Sequence, residues 1–351
     1  MPEDGLPTSA FDYDLPAELI ARVPADRRED SRLLVADRAA GSILHRRFRQ
    51  LPDWFTTGDA LVLNETRVLQ ARLAGRKPSG GRAEVLLLRP LGQAGLEADT
   101  WEALVRPGAR LRPGSVVEVA EDLMVEILDL LEGGARRVRL RTPLSTSSAL
   151  ERYGRVPLPP YIDREATAED AERYQTVYAR VPGSVAAPTA GLHFSRDLLA
   201  TLEARGVRVI RLVLHVGAAT FRPVEAEDPR QHVMHAEWYR IPPESAAALN
   251  EVRSDGGRIW AVGTTVVRTL ETVADEAGRV EAREGETRLF VRPPWRFRVV
   301  DHLVTNFHLP RSTLLMLVAA FCGYDLAMRC YREAIRERYR FYSYGDAMAV
   351  L

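Results

Sequence analysis

The sequence predicts an α/β (α+β) fold interrupted by a small antiparallel β-barrel. Three observations predict it. Strand and helix patterns alternate along the second half of the chain, as α/β folds require. Between residues 67 and 154, short alternating strands recur about every ten residues with Gly-rich turns between them, the signature of a small barrel. A short apolar strand, Ala60–Asn64, runs up to that stretch, and extended chain resumes at Arg155, so the barrel interrupts the other unit. The expected domains are residues 1–66 with 155–351 as the α/β domain, and 67–154 as the inserted barrel. A length of 351 residues suits two domains at about 150 each.

The elements follow in order. Phe11–Pro16 (FDYDLP) opens the globular part, with Pro16 in the first turn of a short helix through Ala21. Ser31–Asp37 reads as a strand, and Gly41 turns it into Ile43–Phe48. The barrel strands are expected at Arg67–Leu73, Ala83–Arg89, Trp101–Val105, Val116–Val119, Met124–Leu131 and Arg136–Arg141. Tyr153–Ile162 is Pro-rich and extended. Ala166–Tyr174 is helical, and Ser195–Arg205 is an amphipathic helix stopped by Gly206. A buried strand at Val207–Val216, a helix at Ser245–Ser254, a strand at Arg258–Val262 and a helix at Thr264–Ala274 come next. Leu314–Ala320 begins a buried helix that continues as an amphipathic one over Ala327–Arg338. Cys322 and Cys330 are expected on that shared helix, about 12 Å apart and too far for a disulfide.

Composition narrows the class. Apolar residues make up 46% and charged residues 27%, which is globular composition and excludes a disordered or fibrous chain. Lys+Arg and Asp+Glu are both 48, so a globally basic coat for nucleic acid is excluded while local basic patches are not. Lys77 is the only lysine, so nearly every cation is a planar guanidinium suited to phosphate and carboxylate. Two cysteines rule out a zinc site built from cysteine and fit a reducing compartment. Met1–Leu15 has no apolar core of a signal peptide, and the longest apolar run, Leu314–Phe321, is under half a membrane span.

Four segments could carry chemistry. Val185–Phe194 strings small residues before a helix entry, leaving backbone amides room to meet a ligand, with His193 as base or structural histidine. Leu214–Arg222 ends a strand in His215 and Gly217 with Thr220 behind, and ligands in α/β folds collect beyond strand carboxyl ends. His232, His235 and Glu237 resemble a metal-ligand set but lack a partner at recognisable spacing, so no metal is expected. Ala261–Thr265 runs a strand through Gly263 into a helix, a turn able to take an anion, yet it matches neither dinucleotide nor P-loop fingerprints. Basic clusters interleaved with aromatics, at His45–Arg49 and Arg292–Arg298, have the character of single-stranded nucleic-acid contacts.

Long words along nearly the whole chain resemble the S-adenosylmethionine:tRNA ribosyltransferase-isomerase family of queuosine synthesis. They are FDYDLP, DSRLLV (Asp30–Val35), GDALVLNETRV (Gly58–Val68), YGRVPLPPYI (Tyr153–Ile162), ERYQTVYA (Glu172–Ala179), AAPTAGLHF (Ala186–Phe194), LHVGAATFRPV (Leu214–Val224), HAEWY (His235–Tyr239), AVGTTVVRTLE (Ala261–Glu271), TNFHLPRSTLLMLVAAF (Thr305–Phe321) and YRFYSYGDAM (Tyr339–Met348). The resemblance implies a cytoplasmic monomer with an inserted barrel. It implies transfer of the ribosyl part of S-adenosylmethionine to 7-aminomethyl-7-deazaguanine at the tRNA wobble position, releasing adenine and methionine. S-adenosylmethionine is then a substrate, tRNA the partner, and no prosthetic group is expected. The segments and the resemblance together give His215, His193, His308 and Glu237 as catalytic candidates. Thr189, Gly191, Gly217, Thr220, His232, Thr264, Thr265, Arg268 and Asn306 are the substrate-binding candidates. His215 is the leading base, Asn306 suits a purine edge, and His308 could assist adenine departure. A non-catalytic RNA-binding protein and a metal-dependent hydrolase are the rival classes.

Overall fold

The computed structural model describes residues 5–92, 95–217, 220 and 223–351. Its main body is a nine-stranded sheet. Central strand β3 (Ala60–Asn64) is flanked by β12 (Arg208–Leu214) on one side and β14 (Ile259–Val262) on the other, all parallel. Beyond β14 lie β16 (His302–Asn306), β17 (Ala347–Val350), β1 (Arg32–Asp37) and β2 (Ser42–Arg47). Beyond β12 lie β13 (Glu237–Ile241) and β15 (Arg283–Thr287), both antiparallel. The interior strands are apolar on both faces because both are covered. In β1, Leu34 and Ala36 pack toward the helices α4 (Pro243–Ser254), α5 (Thr264–Val273), α6 (Thr313–Cys322) and α7 (Tyr324–Arg336). Leu33 and Val35 pack toward α3 (Arg196–Ala204), capped by Ser195.

The barrel leaves from the end of β4 (Thr66–Val68). It closes in the order β10 (Arg136–Arg141), β7 (Thr100–Arg106), β6 (Arg82–Pro90), β5 (Arg72–Arg76), β8 (Val116–Ala120), β9 (Leu123–Leu130). Its strands alternate as the pleat demands: Val138 and Leu140 are buried while Arg137, Arg139 and Arg141 face water. Closure rests on Gly75, where a Cβ would lie 2.4 Å from the Glu118 carbonyl oxygen. After helix α1 (Thr146–Tyr153) the chain returns, and Arg155 pairs with Arg72 through both backbone hydrogen bonds (3.1 and 2.9 Å).

Some expectations give way. Arg67–Leu73 is not one strand. The Gln175 side chain takes both backbone groups of Val68 (3.0 and 2.8 Å), ending β4, which pairs instead with β11 (Val181–Ser184). The N-terminal helix is a single 3-10 turn, Ala17–Leu19. Cys322 and Cys330 do not share a helix, because Gly323 at φ 83° breaks α6 from α7 at 117°. Strands β15, β16 and β17 escaped the sequence reading; they are four or five residues long, and β15 (REGET) carries no apolar alternation. Among the described residues no single helix is long and apolar enough to cross a membrane.

Candidate functional site

The site lies beyond the carboxyl ends of β12, β3, β14 and β16, where open α/β sheets gather ligands. Asn64, the last residue of β3, ties this edge together. Its side chain donates to the Leu214 carbonyl (2.9 Å) and to Thr265 Oγ1 (3.3 Å), and accepts from the Leu214 and Thr66 amides. Thr265 is thereby spent on the strand edge, and Thr264 begins α5 after Gly263 at φ 89°.

A cavity of about 430 Å³ opens here, within the range of small-molecule sites. Gly217, Thr220, His232, Glu237 and Arg268 line it, with Phe290, Leu314 and Leu317 supplying apolar wall. Glu237 opens β13 and is almost fully buried. One carboxylate oxygen accepts from the Gly217 amide and from Thr220 Oγ1, both at 2.9 Å; the other pairs with Arg268 Nη1. Arg268, one turn into α5, donates through Nε to the Leu289 carbonyl (2.9 Å), and its Nη2 is buried without a partner. A buried pair of this kind is tolerable only because both ions are hydrogen-bonded from several sides. His232 meets the Phe290 ring edge to face at 5.6 Å, and burial, with His235 beside it, lowers its pKa.

A smaller pocket of about 30 Å³ shares Thr220 and Leu314 with this cavity. Thr189, Asn306, His308, Tyr161 and Tyr342 line it. His308 Nε2 lies 2.7 Å from Thr305 Oγ1, its amide donates to the Tyr331 hydroxyl (3.0 Å), and its Nδ1 has no partner among the described residues. Burial pushes the His308 imidazole down to about 3, so it is neutral near pH 7. Tyr342 sits in the left-handed region at φ 72°, a strained setting for a bulky residue, with its ring 4.7 Å from that of Tyr161. Neither tyrosine was singled out from sequence; the only signal was their place in the words YGRVPLPPYI and YRFYSYGDAM.

Other candidates lie outside both hollows. His193 stands behind Asn306, with Ser31 Oγ 2.7 Å from Nδ1 and Asn306 Nδ2 3.1 Å from Nε2. Burial, then Arg28 and Arg340, push it down to about 3. His215 does not line the cavity. Its Nδ1 meets Thr66 Oγ1 at 2.8 Å, its ring stacks on Trp238, and its Nε2 abuts Gly183, where a Cβ would lie 2.4 Å away. Gly191 makes room for the Tyr178 hydroxyl, 2.1 Å from where a Cβ would stand. Part of the LHVGAATFRPV word, residues 218–219 and 221–222, lies outside the described residues. Among the described residues no group of three or more His, Cys, Asp or Glu could hold a metal ion; Glu237 is committed to Arg268, Gly217 and Thr220.

Comparison with known proteins matches residues 8–350 to the family described as queuosine biosynthesis protein. A protein of Symbiobacterium thermophilum, named S-adenosylmethionine:tRNA ribosyltransferase-isomerase, is 56% identical over 98% of this chain and 99% of its own. One of Thiobacillus denitrificans with the same name is 51% identical over 96% of this chain and 95% of its own. The crystal structure of an S-adenosylmethionine tRNA ribosyltransferase from Thermotoga maritima is 39% identical, covers 98% of this chain and 100% of that one, and superposes with a TM-score of 0.56.

Proposed function

The chain belongs to the queuosine biosynthesis protein family, and from that premise we propose how its site does the family's work. The enzyme is an S-adenosylmethionine:tRNA ribosyltransferase-isomerase. It moves and isomerises the ribosyl group of S-adenosylmethionine onto 7-aminomethyl-7-deazaguanine at the wobble position, giving epoxyqueuosine-tRNA, adenine and methionine. One observation carries the reading of the site: two hollows share Thr220 and Leu314 in their walls, and one is lined by Arg268, whose Nη2 is a buried unpartnered donor, the other by Asn306, whose Oδ1 is a buried unpartnered acceptor.

The chemistry sets what these groups do. The sulfonium acidifies the ribose C5′ protons, and a neutral imidazole can take one. His308 is the neutral imidazole that lines the pocket with a free ring nitrogen. Burial leaves the ring unprotonated near neutral pH, so it has no imidazolium proton to give to departing adenine, and we assign it the base's role instead. The Glu237 carboxylate places negative charge beside the cavity that would hold the cationic sulfonium. The free Arg268 N–H suits the methionyl carboxylate. His215 holds β12 to β4 through Thr66 and stays out of the reacting set. The wobble base must be splayed from its loop to reach such a recess, as RNA modification demands. The reading also makes the protein a cytoplasmic monomer that uses no prosthetic group.

The test is incubation with S-adenosylmethionine and aminomethyl-deazaguanine tRNA. Adenine release that survives a chelator is expected; chelator-sensitive hydrolysis, or binding without turnover, would overturn the reading. His308→Ala should cut turnover about 10²-fold with the fold intact, the scale of a lost general base. His215→Ala should keep turnover within a few-fold.

A further inference from the structure

Every proton in the hydrogen-bond chain behind the small pocket has a determined direction. At one end Asn306 Nδ2 lies 3.1 Å from the Tyr342 carbonyl, which can only accept, so the amide nitrogen and not the amide oxygen faces that way. The same nitrogen lies 3.1 Å from His193 Nε2, which must therefore accept. The His193 proton is then on Nδ1 and goes to Ser31 Oγ at 2.7 Å. The Ser31 hydroxyl proton in turn goes to the Arg28 carbonyl at 3.2 Å, the other fixed end. Both amide protons of Asn306 and both nitrogens of His193 are spent inside the protein. What remains is Asn306 Oδ1, buried, unpartnered and on a residue that lines the pocket.

We infer that His193 and Ser31 are positioning residues that fix Asn306 as an obligate hydrogen-bond acceptor, so that this pocket selects a nucleobase edge bearing an N–H donor. The inference rests on the proposed function and goes beyond it, since that reading does not say what holds the Asn306 amide in this orientation. A free asparagine presents either half of its amide and tolerates donor or acceptor. This one cannot turn without facing its oxygen to the Tyr342 carbonyl and reversing the protons on His193 and Ser31, which costs the Ser31 bond to the Arg28 carbonyl. The neutral state of His193 belongs to the same device: a protonated ring would offer Nε2–H and demand the opposite amide orientation. Arg28 and Arg340 beside it oppose that charge. The strained Tyr342 backbone supplies the carbonyl that anchors the amide, which gives its left-handed φ of 72° a purpose. Adenine's exocyclic amine and the N–H groups of the deazaguanine edge are both donors of the required kind.

The test measures KM for each substrate and kcat by release of the free base, adenine or, from the analogue, purine, with wild type, His193→Ala, His193→Gln and Ser31→Ala. It includes a donor analogue carrying purine, without the amine, in place of adenine. If adenine occupies the pocket, wild type should show a KM about tenfold or more higher for the analogue, since an acceptor is left unpaired. His193→Ala should weaken that preference several-fold, with the Tyr342 carbonyl alone left to orient the amide. If the deazaguanine occupies it, wild type treats both donors alike and His193→Ala raises KM for the tRNA about tenfold instead. In either arm His193→Gln should restore most of the loss, because its amide accepts from Asn306 and donates to Ser31 as the imidazole does. Should His193→Ala not fold, Ser31→Ala carries the same expectation at smaller size. Variants that shift only melting temperature, with both KM values and the analogue preference unchanged, would overturn the inference. Wild type that releases no adenine would overturn the functional reading first.

Discussion

The barrel carries the larger hollow and the sheet body carries the smaller one, yet the proposed chemistry lies in the body. The barrel groove encloses about 1240 Å³ along the β5–β8 seam, and its arginines Arg76, Arg82, Arg106 and Arg155 share it with Glu84, Glu118, Glu121 and Glu165. The body cavity is about a third of that size. Among the described residues, none of the buried polar atoms without a partner belongs to a barrel strand, whereas the body holds those of Arg268 and Asn306. Volume follows from how strands close, while a ligand is announced by groups folded into place and left unpaired, which cost stability unless something binds them.

Four measurements test that contrast. The largest effects come from core deletions. Glu237→Ala leaves the Arg268 guanidinium buried and uncompensated, so denaturant unfolding should show a loss of about 3–5 kcal/mol and turnover should vanish; Glu237→Gln should lose less. In the barrel, Trp101→Ala removes a fully buried ring and should cost about 3–5 kcal/mol. Hydrogen exchange should then show barrel amides opening while body amides keep their protection. Exchange accelerated equally in both regions would mean the two are one cooperative unit.

Acid comes next. The histidines all lie outside the barrel strands, and burial holds His193 and His308 down to about 3 in the native state against an ordinary 6.5. Between those limits the unfolded chain binds protons that the native one does not, so stability falls as pH falls. The slope is about 1.4 kcal/mol per pH unit for each such histidine. The body should therefore loosen between about pH 6 and 4, seen as a falling midpoint in urea, with the barrel lagging behind. Simultaneous loss of both would remove this distinction. The smallest effect belongs to Arg141→Ala, which deletes an exposed pair with Glu126 and should cost less than about 1 kcal/mol in thermal unfolding.

The barrel was legible in the sequence because its determinants are local. Alternating residues and glycine turns repeat within about ten residues, and Arg136–Arg141 came out with the same ends. In the body, Ala60–Asn64 and α3 were equally legible from apolar pattern and capping. Of the candidate site, the sequence offers residues but not their arrangement. Glu237 and Arg268 are 31 residues apart, and His193 and Asn306 are 113 apart. No spacing rule joins them, because the sheet order that does so is set by long-range pairing. His215 shows the cost. A histidine at a strand end points to one face of the sheet or the other, and here it turns away from the cavity that takes Gly217, two residues on. Tyr342 was invisible for another reason: a positive φ on tyrosine is imposed by tertiary structure against local preference.

The bridge between Arg72 and Arg155 bears on the order of assembly. The body is made of two pieces of chain, and joining them directly means closing a long, floppy loop at an entropic cost that grows with the logarithm of its length. In the folded chain Arg72 and Arg155 exchange both backbone hydrogen bonds, so a barrel that forms first would close this loop before β3 meets β12 and β14. The barrel then acts as an internal clasp that holds the halves of the sheet within reach during folding. A barrel weakened by Trp101→Ala should accordingly slow the refolding of the body, followed by pulsed hydrogen exchange of the β3, β12 and β14 amides, even though no residue of the body has changed.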